Sequence, residues 1–320
     1  MLSSKEAIVL LNMGGPNNLD EVGMFLKNMF NDKNILTMKS SLLRKFIAFM
    51  ITFSRTKHSQ KIYEQIGGKS PIVGHTKRLV QKLQKKVGED IVVDFVMRYT
   101  PPFADEVIKK LKKDGVEKIY LIPMYPQYSA TTTKSSLEDF YDQCAVNDYD
   151  VSLVEIEHFF ENQNYNKAIL NSIKNSMKND NYKDFDLIFS AHGLPQKIID
   201  AGDIYEKHMI KHVEFLKDML KDEEMKFNDI HLAYQSKIGP MQWLKPSLGD
   251  KLKSIKNKKV VIFPIAFTID NSETDFELEI EYREVAQEFG YEDYKVCRCA
   301  NDSNLFVDAL YEIYKQMNLR

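Results

Sequence analysis

The chain has 320 residues, 43% of them apolar and 28% charged, with a formal net charge of −2. At about 150 residues per domain that length suggests two domains, and the composition excludes wholesale disorder. Near-neutral charge leaves no overall basic field for nucleic acid. Three cysteines (Cys144, Cys297 and Cys299) are too few for a disulfide-built fold and suit a reducing compartment.

The first sixteen residues lack a signal-peptide layout: Lys5 and Glu6 precede a strand-like run that meets glycines at once. Short β-branched runs then recur at Ala7–Leu11, Ile91–Val96, Ile119–Pro123, Val151–Ile156, Leu187–Ser190, Ile230–Tyr234 and Val260–Ile265. Most are continuously apolar, as parallel strands covered on both faces are. Helical spacing appears over Ser70–Val87, Phe103–Lys113, Asn162–Met177 and Glu206–Leu220. Strands alternating with helices predict an α/β doubly wound fold. A boundary near residues 155–165 divides the strands roughly in half. No apolar run approaches the roughly 20 residues that span a bilayer. The nearest is Phe46–Phe53, inside the Phe- and Met-rich segment Ile35–Phe53. That segment reads equally as a core helix or as an exposed lip touching a membrane or covering an apolar pocket.

In open α/β sheets ligands bind beyond the carboxyl ends of the strands. Met13-Gly14-Gly15-Pro16 follows the first strand but has neither GxGxxG spacing nor a Walker ending, so a tight turn is an equal reading. His192 ends the fifth strand, where Gly193 and Pro195 fix the next turn, and an imidazole there can exchange protons near pH 7. Beyond the seventh strand, Glu273, Asp275, Glu277, Glu279 and Glu281 alternate. Five like charges on one strand face would repel, and Ser272-x-x-Asp275 resembles a capping box, so a helix is expected. As an α-helix it would stack Glu273, Glu277 and Glu281 in a column able to pass protons or a metal ion. Lys and Arg are absent from Phe267–Tyr282, which leaves the repulsion unrelieved inside the segment. Arg55, Tyr63, Arg98, Tyr99, Tyr125, Tyr128 and Trp243 are placed in loops or at element ends, and together suit a flat aromatic ligand bearing carboxylates. Cys297-x-Cys299, even with Cys144, supplies three thiols where iron–sulfur clusters take four ligands.

Six motifs in order now carry a resemblance: Leu11-Asn12-Met13-Gly14-Gly15-Pro16, Ile66-Gly67-Gly68-Lys69-Ser70-Pro71, Tyr125-Pro126-Gln127-Tyr128-Ser129, Ser190-Ala191-His192-Gly193-Leu194-Pro195, Gln235-Ser236-Lys237-Ile238-Gly239-Pro240 and Pro264-Ile265-Ala266-Phe267-Thr268, with Trp243 following the fifth. The chain resembles the ferrochelatase family from Ile8 to near its C-terminus. The resemblance implies two Rossmann-like halves around a central porphyrin cleft: residues 1–160 with a lip at about 35–70, residues 161–300, and a C-terminal helix at 301–320 packing back on the first half. It implies insertion of Fe²⁺ into protoporphyrin IX with release of two protons, the last step of haem synthesis.

Residue by residue, the resemblance makes His192 and Glu273 catalytic. It makes His192, Glu273, Glu277 and Glu281 the metal-handling set. It makes Met13, Arg55, Tyr63, Ser70, Arg98, Tyr99, Tyr128 and Trp243 porphyrin contacts. Met13 points to protoporphyrin, because coproporphyrin-using relatives carry a tyrosine near there. Asn271 departs from the histidine that many relatives have before the catalytic carboxylate. Ala130 stands where cluster-bearing relatives have cysteine, so no [2Fe–2S] cluster is expected, and Fe²⁺ is a substrate rather than a prosthetic group. A cytoplasmic protein with peripheral membrane contact through Ile35–Phe53 is expected. The rivals are a coproporphyrin III ferrochelatase, a sirohydrochlorin cobaltochelatase, a non-catalytic porphyrin or haem carrier, and a nucleotide-binding α/β protein.

Overall fold

The structure, a computed structural model, describes residues 5–237, 239 and 241–319. Ile238 and Pro240 of the fifth motif lie outside the described residues, as do the first four residues of the opening segment. The chain divides into two compact units, Met1–His158 with Leu310–Arg320, and Phe159–Ala309.

The first unit is built on β1 (Lys5–Asn12), β2 (Ile91–Met97), β3 (Val116–Pro123) and β4 (Ser152–Glu155), all parallel, in the order β2-β1-β3-β4. Central β1 owes its place to its apolar run: Ala7, Ile8, Val9, Leu10 and Leu11 are each at most 1% exposed. Its helices are α1 (Val22–Asn31), α2 (Ser41–Gln65), α3 (Ile72–Val87), α4 (Ala104–Lys113) and α5 (Ser135–Val146). Helix α4 shows the local logic. Ala104, Val107, Ile108 and Leu111 bury one face, Asp105 and Glu106 open the helix, and Lys110, Lys112 and Lys113 close it, each sign matching the dipole. A π-helix, Ala130–Lys134, follows β3 and leads into α5.

The second unit repeats the plan. Strands β5 (Asp186–His192), β6 (Asp229–Gln235), β7 (Lys259–Phe263) and β8 (Asp293–Val296) are parallel in the order β6-β5-β7-β8. Its helices are α6 (Gln163–Met177), α7 (Gln196–Asp200), α8 (Tyr205–Asp222), α9 (Leu248–Ser254) and α10 (Tyr282–Glu288). The last helix, α11 (Asn304–Asn318), crosses the division at Leu310. Within the first unit Tyr120 donates to Asn318 Oδ1 at 2.5 Å, which ties the end of α11 to β3.

The sequence omits β8, whose Asp-Tyr-Lys-Val carries two charges and lacks the apolar run of the other strands. The segment Ile35–Phe53 is no core helix. It enters α2, where Leu42 is 78% exposed, Phe46 and Phe49 62%, and Phe53 77%. Arg55, placed in a loop or at an element end by the sequence, lies within α2 itself, and Tyr63 stands in its last turn.

Gly14 and Gly15 form a structural turn. Gly14 has φ +85°, and a Cβ on it would lie 2.4 Å from Thr100 Oγ1. A Cβ on Gly15 would lie 2.6 Å from Ser70. Any larger residue collides with the neighbouring loops, which accounts for the pair without a phosphate.

Candidate active site

The carboxyl end of the second unit's sheet gathers the acid–base residues. His192 is the last residue of β5 and pairs in register with Gln235, the last of β6. Its carbonyl accepts a 2.9 Å hydrogen bond from the Tyr205 hydroxyl, which holds the backbone. Its ring meets Phe267 edge to face, centroids 6.1 Å apart. Nδ1 is shielded from solvent and has no hydrogen-bond partner. Burial lowers the imidazole pKa below its usual value, and the Glu273 carboxylate pulls it partly back up. A neutral imidazole with an unpartnered nitrogen beside a carboxylate can accept a proton.

The loop after His192 is a close fit. A Cβ on Gly193 would lie 2.7 Å from the Gln235 carbonyl oxygen, so only glycine lets the chain pass there. Gly193 N–H donates to that oxygen at 2.8 Å. Leu244 N–H donates to the Leu194 carbonyl, and Pro195 bridges to Trp243. Trp243 is thereby brought beside the His192 loop.

The acidic segment is a helix, but a different one. Residues Glu273–Glu281 form a π-helix that continues into α10. Its i→i+5 closure changes the angular step, so the even α-helical column does not form. Glu273 and Glu277 are partly buried and Glu281 is exposed, so the row runs outward to solvent. The cap is also one residue earlier than Ser272. Asn271 Oδ1 accepts from the N–H of Glu273 (3.0 Å) and of Thr274 (3.2 Å), and Thr274 Oγ1 accepts from Asn271 N–H (2.9 Å). Asn271–Thr274 is thus a reciprocal capping pair. Ser272 instead donates to Glu273 Oε2 at 2.8 Å. Relief of the acidic charge comes from outside the segment: Arg283 pairs with Glu279, and Arg298 with Asp275 at 2.6 Å.

Glu277 sits in a polar network that sequence reasoning missed. It accepts from Ser236 N–H (2.6 Å), Ser236 Oγ (2.5 Å) and Gln235 Nε2 (2.9 Å). Ser190 Oγ donates to Gln235 Oε1 at 2.7 Å. Three donors favour the carboxylate, yet burial outweighs them and, with Glu273 nearby, holds the pKa up to about 7. Gln235-Ser236 already stood inside a quoted motif, and its position just after a strand was the available signal. Among the described residues no group of three or more His, Cys, Asp or Glu side chains is disposed to hold a metal ion.

The expected porphyrin contacts of the first unit fall into three groups. Tyr63 and Tyr99 are buried in an apolar cluster with Val22, Phe25 and Leu26, and Met13 packs against it. Ser70 is buried under the glycine turn, its N–H on the Pro16 carbonyl at 2.8 Å. Arg55 and Tyr128 are half-buried, on α2 and in the loop before the first π-helix.

Arg98 is committed inside the protein: its guanidinium stands 3.4 Å from Asp32 Oδ2 and 3.2 Å from Asp139 Oδ1, and Nε donates to Ser135 Oγ. Asp32 is buried and also accepts from Tyr99 OH (2.8 Å), Ser135 Oγ and Asn34 N–H (2.7 Å). Arg98 thus braces the α1–α2 corner, and it lines a cavity of about 500 Å³ with Asp32, Asp105 and Asp139. Three side chains of the first unit thus hold the guanidinium that the resemblance makes a porphyrin contact.

Cys144, Cys297 and Cys299 are buried, and burial pushes the Cys144 thiol up to about 11 and Cys297 to about 12. Neither is a poised thiolate.

Two solved structures share this fold. SirB from Bacillus subtilis with Fe³⁺ matches at a TM-score of 0.58 and 11% identity, covering 98% of this chain and 95% of that one. CbiX, described as the terminal enzyme for siroheme biosynthesis in denitrifying bacteria, matches at 0.53 and 8%, covering 98% and 99%. Curated relatives are far nearer in sequence. A ferrochelatase of Sulfurimonas denitrificans is 68% identical over 313 residues, 98% of this chain and 99% of that protein. One from Nitratiruptor is 53% identical, covering 98% of this chain and 100% of the relative, and one from Helicobacter pylori is 44% identical, covering 98% and 94%. With the ferrochelatase family model matching residues 5–318 as well, the chain belongs to the ferrochelatase family.

Proposed function

We propose that this chain inserts Fe²⁺ into protoporphyrin IX, releasing two protons and yielding protohaem. The observation that carries the reading is His192 at the end of β5, its Nδ1 shielded and unpartnered beside Glu273. Two pyrrole N–H bonds must break as iron bonds to all four ring nitrogens. His192, held neutral by burial, takes a pyrrole proton, and Glu273 stabilises the imidazolium that results. Binding bends the macrocycle so that pyrrole lone pairs leave its plane, at a cost of roughly a few kcal/mol drawn from contacts elsewhere on the ring. Glu277, poised near neutrality, passes protons toward exposed Glu281. Met13, packed against an apolar cluster, offers no charge to extra propionates, which supports protoporphyrin over coproporphyrin.

The test mixes the protein with protoporphyrin and Fe²⁺ under nitrogen and follows porphyrin absorption. Many turnovers per protein are expected. A halt at one equivalent would mark a carrier, and faster turnover of coproporphyrin III would overturn the substrate assignment.

The first half of α2 is proposed as a peripheral membrane contact by which an apolar substrate arrives. No helix among the described residues is long and apolar enough to cross a membrane. Leu42, Phe46, Phe49 and Phe53 are exposed, with Lys39 and Lys45 beside them to meet anionic headgroups. The protein is expected to co-sediment with phosphatidylglycerol vesicles. The triple change Phe46→Ser, Phe49→Ser, Phe53→Ser is expected to abolish this and leave the fold intact. Equal sedimentation of the variant would end the proposal.

A further inference from the structure

Arg298 stands in the loop after β8, outside every motif quoted above. Its guanidinium is 2.6 Å from Asp275 Oδ1 and 3.5 Å from Asp270 Oδ2. These two carboxylates lie on either side of Glu273 in the sequence, and between them the Asn271–Thr274 capping pair winds the first turn of the π-helix. Asp270 is buried and accepts from Cys299 N–H (2.9 Å) and Asn301 Nδ2 (2.8 Å). Its own N–H donates to Asn301 Oδ1 at 2.9 Å. Asp275 N–H returns to the Asn271 carbonyl at 3.0 Å. Arg298 is itself fixed from behind, its carbonyl accepting from Ser172 Oγ at 2.5 Å.

The contacts close a ring. One path from Asp270 to Asp275 runs through the backbone that carries Glu273, and the other runs through space across one guanidinium. Two carboxylates drawn together this way repel unless a cation lies between them. Here one cationic nitrogen, Arg298 Nη1, meets both. Glu273 is part of that backbone path, its N–H bonded to Asn271 Oδ1.

We propose that Arg298 is a positioning residue for metal insertion: by clamping Asp270 and Asp275 it fixes the turn that presents Glu273 to His192. The inference rests on the ferrochelatase reading and on Glu273 as the partner of His192. Small displacements of a positioned group are costly in rate, as much as 10²-fold for about 1 Å.

The experiment compares full-length wild type, Arg298→Gln, Arg298→Lys and Arg283→Gln for Fe²⁺ insertion into protoporphyrin. Binding sites are counted by protoporphyrin fluorescence titration, so that rates refer to folded protein. Arg298→Gln is expected to lower kcat per site by about tenfold with KM for porphyrin within about twofold, and Arg298→Lys to recover part of the loss. Arg283→Gln, which removes the other cation on this helix away from the first turn, is expected to keep wild-type kcat. Asp275→Asn breaks the same ring and serves if Arg298→Gln does not fold; its kcat per site is expected to fall severalfold.

A merely structural role would lower the melting temperature and leave kcat per site unchanged, and that result overturns the proposal. So does an equal loss in Arg283→Gln, or a fall expressed in KM. A wild type that shows no turnover instead overturns the ferrochelatase reading, and the clamp with it.

Discussion

Replacing His192 by alanine is expected to lower the rate of iron insertion by about 10²–10⁴-fold, the range for loss of a positioned acid–base group. The residue closes β5 between a register partner, Gln235, and a backbone bond from Tyr205, so its ring is held without using Nδ1. Truncation should cost little stability, because the ring meets Phe267 edge to face and Nδ1 makes no hydrogen bond. Initial rates with protoporphyrin and Fe²⁺, beside thermal unfolding curves, decide the matter. A folded His192→Ala protein turning over at the wild-type rate would remove His192 from the chemistry.

The second large effect concerns Glu277. Burial lifts its carboxyl to about 7, against an ordinary value of 4.5, although three hydrogen bonds pull the other way. The sign follows directly. The folded state holds this proton more tightly than the unfolded chain, so the stabilisation is fully present below about pH 4.5 and is lost as pH rises through about 7. The loss is at most on the order of 3 kcal/mol, since water reaches part of the side chain. Glu277→Gln keeps the size and most of the contacts but cannot ionise. Urea unfolding of the metal-free protein at steps between pH 4.5 and 7.5 is expected to show a decline in wild type that the variant lacks. Parallel curves would mean that Glu277 titrates like a surface carboxylate. Iron insertion should also slow in the variant, because an amide cannot hand a proton on.

Much of the fold was legible because seven of the strands are written as apolar runs. Residues such as Ile8, Val9 and Leu10 have one physical solution, burial on both faces. Strand β8 was not legible, because an edge strand of Asp-Tyr-Lys-Val has one covered flank and needs no such run. The site was legible where local sequence and chemistry coincide, at His192 and Glu273. It was not legible where tertiary partners decide. The choice of a π-helix over an α-helix leaves no periodic trace in nine residues, and Ser272 reads as the cap where the backbone selects Asn271. Arg98 shows the same. An arginine after a strand suggests a ligand acid, and its partners Asp32 and Asp139, 66 and 41 residues away in sequence, are invisible to a local reading.

Both sheets trace the same strand order, and in each the central strand ends opposite the last residue of its neighbour: Asn12 opposite Met97, His192 opposite Gln235. The protein therefore carries its own internal control. At the first of these ends Asn12 is buried and turns its side-chain oxygen onto the next N–H, at 2.8 Å, facing a buried methionine. At the second, the equivalent place holds an imidazole with an idle nitrogen, and its neighbour feeds a hydrogen-bonded chain to Glu277. The same architectural address holds an amide bonded to the adjoining backbone in one sheet and, in the function proposed above, a proton acceptor in the other. What separates them is two side chains, so exchanging the pair between repeats would ask how much of a chelatase is scaffold and how much is its occupants.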